Sequence, residues 1–129
     1  MIDLLVDKNK WVPLMRRSIQ LALLAEGMTS PNPLVGAIVL DASGKIAGEG
    51  FHSGAGKAHA EIEALDQAGE KSIDGTIVVT LEPCCHHGLT PPCTEALIKA
   101  GLKRVVIGMV DPDPRVSGSG ISCLKDSGL

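Results

Sequence analysis

The chain has 129 residues, a formal net charge of −3, 44% hydrophobic residues and 2% aromatic ones. That length and apolar share suit one globular domain with a core of its own. The acidic balance offers no footprint to a phosphate backbone, and Trp11 and Phe51 leave almost no stacking platform for bases, which argues against nucleic acid as a partner.

From Trp11 to Met28 the apolar residues Leu14, Met15, Ile19, Leu21, Ala22, Leu23, Leu24 and Ala25 recur at helical spacing, with Pro13 suited to a first turn and Gly27 to a stop. Arg16 and Arg17 fall to the solvated face of that helix. After "TSPNP" come "LVGAIVLD" and "KIAGEGFH", two β-leaning runs parted by "ASG", the pattern of a hairpin. "AHAEIEALDQAGE" returns to helical spacing and ends near Gly69. "TIVVTL" and "RVVIGMV" are short, β-branched runs of the kind found in buried strands, and between them "CTEALIKAG" predicts a helix closed by Gly101. The order is α, β, β, α, β, α, β, followed by a turn-rich "DPDPRVSGSG" and a short helical segment, "GISCLKDSGL". Alternation in the second half implies parallel neighbours covered by helices, so the expected fold is a three-layer α/β/α sandwich with a mixed sheet. The chain stops where such a fold would enter a further strand, which suggests a minimal domain or a piece of a longer polypeptide.

"MIDLLVDKNKW" has no basic start followed by an apolar stretch, and no apolar run reaches the length of a membrane span, so neither a secretory signal nor a membrane partner is expected. The chain reads as cytoplasmic. In a reducing compartment cysteines serve as metal ligands, catalytic groups or core residues rather than disulfides, and Cys84, Cys85 and Cys93 crowd into one loop, "LEPCCHHGLTPPC".

His59 and Glu61 stand where the second helix begins, and two residues apart on a regular helix they would diverge by roughly 200°. They reach one small site if His59 points over the helix end. Cys84 lies just past "TIVVTL" and Cys93 at the start of "CTEALIKAG"; in an α/β sheet, ligands collect beyond the C-terminal ends of parallel strands. One imidazole and two thiolates are a sound zinc set with a fourth position left to water, and helix N-termini help to keep the thiolates charged. Zinc lowers the pKa of a bound water, and a carboxylate beside it, here Glu61, can take the proton; hydrolytic removal of an amine from a pyrimidine needs both. A fourth thiolate would close the site to water, so Cys85 reads as a small residue lining the pocket, and Cys123 as a small buried apolar residue.

"TSPNPLVGAIV", "HAE", "LEPCCHHGLTPPCTEALI" and "RVVIGMVDPDP", in that order, resemble the deaminase domain of riboflavin-biosynthesis proteins, the diaminohydroxyphosphoribosylaminopyrimidine deaminases of the cytidine deaminase-like superfamily. The likeness runs from about Met15 to the end of the chain. Other zinc deaminases carry H-x-E followed by P-C-x-x-C, whereas here "CHHGLTPP" separates Cys84 from Cys93. The resemblance implies His59, Cys84 and Cys93 as zinc ligands and Glu61 as the proton shuttle. It implies a pocket for the pyrimidine and its ribose phosphate shaped by Asn32, His52, His86 and Thr90, with Asp111 and Asp113 nearby. Relatives carry Ser at Cys85 and a basic residue at Leu89, which leaves the phosphate to Arg115, Lys57 or a nest of backbone N–H groups. The resemblance also implies that residues 1–129 form one zinc-dependent deaminase domain, the N-terminal part of a longer bifunctional chain, with self-association into a homo-oligomer and a companion reductase domain that uses NADPH. No G-x-G-x-x-G follows a strand in these residues to supply that second activity. Two alternatives remain: a deaminase for another base, such as cytidine, guanine or tRNA adenosine, and a non-catalytic zinc module kept for assembly.

Overall fold

The computed structural model describes residues 8–29, 33–54, 56–85, 92–114 and 116–129. Their elements run α1 (Lys8–Leu23), β1 (Gly36–Leu40), β2 (Ile46–Phe51), α2 (Ala60–Ala68), a 3-10 turn (Gly69–Ser72), β3 (Thr76–Val79), α3 (Cys93–Lys99), β4 (Arg104–Ile107) and α4 (Ser119–Asp126). The sheet order is β2-β1-β3-β4, with β1 antiparallel to both neighbours and β3 parallel to β4. This is the expected order of elements and the expected mixed sheet.

The first helix departs from its sequence reading at both ends. It begins at Lys8, before any apolar periodicity, so Pro13 sits inside it rather than in its first turn. After Leu23 the backbone tightens into turns in which Leu24, Ala25, Glu26 and Met28 each donate to the carbonyl three residues back, and Gly27 turns through φ 83°. The helical spacing of Leu24 and Ala25 thus belongs to a loosened extension of the helix.

Period-two alternation along the strands divides the apolar residues between two cores. Ala37, Val39, Ile77, Val79, Val105 and Ile107 face α2, α3 and α4, whereas Ile38, Leu40, Val78 and Val106 face α1 and Trp11. Because β1, β3 and β4 are covered on both sides, their sequences read as unbroken apolar runs. On the α2 side the packing is unusually close. A Cβ at Gly48 would collide with the Ala64 carbonyl, and one at Gly50 with the Ala60 carbonyl. Two glycines on β2 and a stripe of Ala60, Ala64 and Ala68 on α2 therefore let the helix rest directly on strand backbone, which fixes where its N-terminus ends up.

Candidate metal centre and active site

His59 is the N-cap of α2, with φ −69° and ψ 158°, and it makes no side-chain capping bond. Its carbonyl accepts the first intrahelical bond, from the Glu63 N–H at 3.1 Å. The extended ψ breaks the helical progression between His59 and Glu61, so the ring points over the helix end while Glu61 enters from the first turn. Cys93 is the first residue of α3, after an N-cap at Pro92 whose ψ of 149° is likewise extended. Cys84 follows β3 by a few residues. Two bonds tie its loop to α3: the Cys93 N–H donates to the Cys84 Sγ at 3.2 Å, and the Thr94 N–H donates to the Cys84 carbonyl at 3.2 Å.

These three side chains converge. His59 Nδ1 lies 3.1 Å from the Cys93 Sγ and 3.9 Å from the Cys84 Sγ, and the three candidate ligand atoms fall within 4.8 Å of one another. A tetrahedral zinc with ordinary Zn–N and Zn–S bonds places such atoms about 3.5 Å apart, between the two observed distances. One imidazole and two thiols thus fit zinc in both chemistry and spacing. Cys93 is buried, Cys84 half-buried and His59 exposed, so the cluster opens outward on the imidazole side.

The charges within the cluster are ordered. The Cys84 thiol is drawn down to about 4, first because the Cys93 thiol donates to it; the His59 ring and the Cys93 N–H add to this against the cost of burial. Cys93 is pushed strongly the other way, chiefly because its proton is held by Cys84 and further because it is buried. His59 is raised by its bond to Cys84. Glu61 is 4% exposed, and burial raises its carboxyl above the usual range, opposed by its own backbone N–H and by His59. The shifts thus run in opposite senses: Cys84 is drawn toward its thiolate, while Cys93 and His59 are each held more tightly to their protons.

The remaining expected site residues divide into three groups. His52 is buried beside the cluster; its ring meets His59 edge-on at 5.4 Å between centroids, and its Nδ1 is 3.1 Å from the Ala58 carbonyl. Asp111 and Asp113 are half-buried in the loop after β4, where the Asp113 N–H donates to the Asp111 Oδ1 at 2.9 Å. With Met15, Ile19, Leu34 and Met109 they line a cavity of about 670 Å³ between α1 and the ends of β3 and β4, to which neither His59, Cys84, Cys93 nor Glu61 contributes. Asn32, His86 and Thr90, as well as Leu89 and Arg115, lie outside the described residues.

Two features escaped the sequence reading. Cys85 and Cys123 are joined in a disulfide, Cα to Cα 6.6 Å, across a separation of 38 residues. The expectation of two small unlinked residues is therefore corrected, and Cys123 is half-buried rather than buried. The reducing-compartment premise ruled out a bridge that spatial proximity permits. The second feature is Glu82, 4% exposed, whose carboxylate accepts backbone N–H bonds from Asp111, Gly118 and Ile121. A charge inside the otherwise apolar "TIVVTLEP" was its only signal, since a buried carboxylate requires partners.

No helix among the described residues is long and apolar enough to cross a membrane. Residues 9–109 match the family model for the cytidine and deoxycytidylate deaminase zinc-binding region. The chain is 58% identical over 115 residues to the chloroplastic riboflavin biosynthesis protein PYRD of Arabidopsis thaliana, an alignment covering 89% of this chain and 27% of that protein. It is 55% identical over 115 residues to the diaminohydroxyphosphoribosylamino-pyrimidine deaminase of Buchnera aphidicola subsp. Acyrthosiphon pisum, covering 89% of this chain and 78% of that one. Among solved structures, Acinetobacter baumannii RibD superposes with a TM-score of 0.91 at 46% identity, over 95% of this chain and 34% of that chain. The chain thus spans about a third or less of the longer relatives and most of the Buchnera one. With a zinc-suited His–Cys–Cys cluster at two helix starts and the loop after β3, the chain belongs to the cytidine and deoxycytidylate deaminase family, and its relatives include riboflavin-biosynthesis deaminases.

Proposed function

We propose that the chain removes ammonia hydrolytically from diaminohydroxyphosphoribosylaminopyrimidine, the amino-pyrimidine that the Buchnera relative's name specifies. The observation that carries this reading is Glu61: a buried carboxylate, raised by burial, in the first turn of the helix that His59 caps. A purely structural zinc site has no use for such a group.

His59, Cys84 and Cys93 would hold the zinc, which when bound would supply a Lewis acid that lowers the pKa of a water molecule. Glu61 takes a proton from the attacking water at a carboxylate oxygen and delivers it to the departing amine. A C–O bond forms at the ring carbon, the C–N bond breaks and ammonia leaves. The raised affinity of Glu61 for a proton suits the second half of that task. The backbone N–H of Cys93 donates to the Cys84 Sγ and helps to hold that sulfur as a thiolate. We assign the substrate contacts to Asn32, His52, His86, Thr90, Asp111 and Asp113.

In this reading residues 1–129 are one deaminase domain and the N-terminal part of a longer bifunctional chain; the greater length of the PYRD and RibD relatives supports the longer chain. Such a chain would add an NADPH-using reductase, assemble as a homo-oligomer and work in the cytoplasm. An ammonia-release assay on the zinc-loaded protein tests the substrate, with cytidine, guanine and adenosine alongside. Ammonia from the ribosylaminopyrimidine phosphate alone is the expected result; release from another base instead would move the assignment to that base.

A further inference from the structure

Glu82 has a place in the fold that neither the metal nor the proton transfer uses. Its Oε1 accepts from the Asp111 N–H at 3.1 Å and the Gly118 N–H at 2.9 Å, and its Oε2 from the Ile121 N–H at 3.1 Å. Its own N–H donates to the Met109 carbonyl at 2.9 Å. All four bonds go to one stretch of chain, from the end of β4 into α4. Gly118, the N-cap of α4, offers no side-chain cap, so the Glu82 carboxylate caps that helix from across the sheet end. Gly120 permits the approach: a Cβ there would collide with the Pro83 carbonyl and lie 3.1 Å from the Glu82 Cγ.

The same stretch carries Asp111, Pro112 and Asp113, which wall the 670 Å³ cavity. Leu81, also on that wall, precedes Glu82, and Cys84 follows it by two residues. Glu82 therefore joins the strand end that presents a zinc ligand to the loop that presents two carboxylates. Cys84 does not depend on it for its own placement, because α3 holds both the Cys84 thiolate and the Cys84 carbonyl.

We infer that Glu82 is a positioning residue for substrate: it holds the Asp111–Asp113 turn in register with the zinc loop, so that its loss weakens substrate binding and leaves the metal site intact. The inference rests on the reading of Asp111 and Asp113 as substrate contacts. Glu82→Gln is the informative variant, since it keeps the volume but replaces one acceptor oxygen by an NH₂ and removes the charge, so at least one of the three buried N–H groups loses its acceptor and the others lose a charged one.

The test uses the full chain loaded with zinc, and with cobalt for spectroscopy. In Glu82→Gln, zinc per chain and the cobalt ligand-field spectrum should match wild type. Hydrogen exchange at the Asp111, Gly118 and Ile121 amides should quicken about tenfold or more, while the Val78 and Val106 amides stay protected. KM should rise about tenfold with kcat within about threefold, the split expected when binding rather than chemistry is lost. Gly120→Ala, which leaves the carboxylate in place and wedges α4 away from it, should produce the same signs. Unchanged exchange at the three amides, a fall in kcat at constant KM, or an altered cobalt spectrum would each overturn the assignment. If wild-type protein released no ammonia, the functional reading would fall, and the exchange and cobalt results would still decide the role of Glu82.

Discussion

The two faces of the sheet are packed by different rules. On the α2 face, glycines of β2 meet alanines of α2 at backbone contact, and the helix start that emerges from this packing carries His59 and Glu61, with Cys93 at the start of α3 on the same face. On the α1 face, Trp11 anchors a larger-grained core between Lys10 and Arg104, whose cations sit 4.7 Å and 5.4 Å from its ring. Beyond it lies the 670 Å³ cavity, with Ile19, Leu23 and Met109 about half exposed. Ligand atoms must be held within a few tenths of an ångström of a metal geometry, and small residues at close contact leave the least freedom to move. An apolar wall carries no such demand. The chemistry sits on the face that can hold position.

That contrast can be broken from its most sensitive point downward. Cys93→Ser removes a thiolate ligand; zinc content by elemental analysis should fall to background, and ammonia release should fall at least about a hundredfold. Next comes the charge order within the cluster. In the metal-free chain, ultraviolet thiolate absorbance should report one thiolate across neutral pH that disappears as pH falls through about 4, and Cys84→Ser should abolish it. Because the folded Cys84 lies below its ordinary value, its stabilisation of the fold is fully present above the unfolded thiol pKa and is lost as pH falls through about 4. Gly50→Ala attacks the packing itself: a Cβ meets the Ala60 carbonyl and the Glu63 Cβ at 2.6 Å. Chemical denaturation should show a loss of about 1–3 kcal/mol, with zinc affinity falling as the start of α2 shifts. Ile19→Ala, on the other face and 47% exposed, should change stability by no more than about 0.5 kcal/mol and leave zinc binding unchanged.

The zinc cluster was legible because its ligands are chemically distinctive and stand where helices and strands terminate. The strands were legible because β-branched runs between Gly and Pro have few other readings. Helix α1 was misplaced at its start because Lys8, Asn9 and Lys10 carry no apolar period, and Pro13 then passed for a first-turn residue. Glu82 was overlooked for a different reason: its partners are backbone N–H groups 29 to 39 residues downstream, and backbone donors leave no mark in a sequence. The Cys85–Cys123 bridge shares that difficulty, since its 38-residue separation says nothing of the distance in space. What the alphabet of side chains encodes was readable; what depends on where distant backbone returns was not.

The central claim is that one buried carboxylate converts a zinc site into a deaminase. Glu61→Gln in the zinc-loaded chain tests it most directly, with zinc content and ammonia release measured on the same sample. The account predicts zinc at the wild-type level and turnover lowered about a hundred- to ten-thousandfold. Turnover near wild type with zinc in place would contradict it and leave the proton transfer to another group.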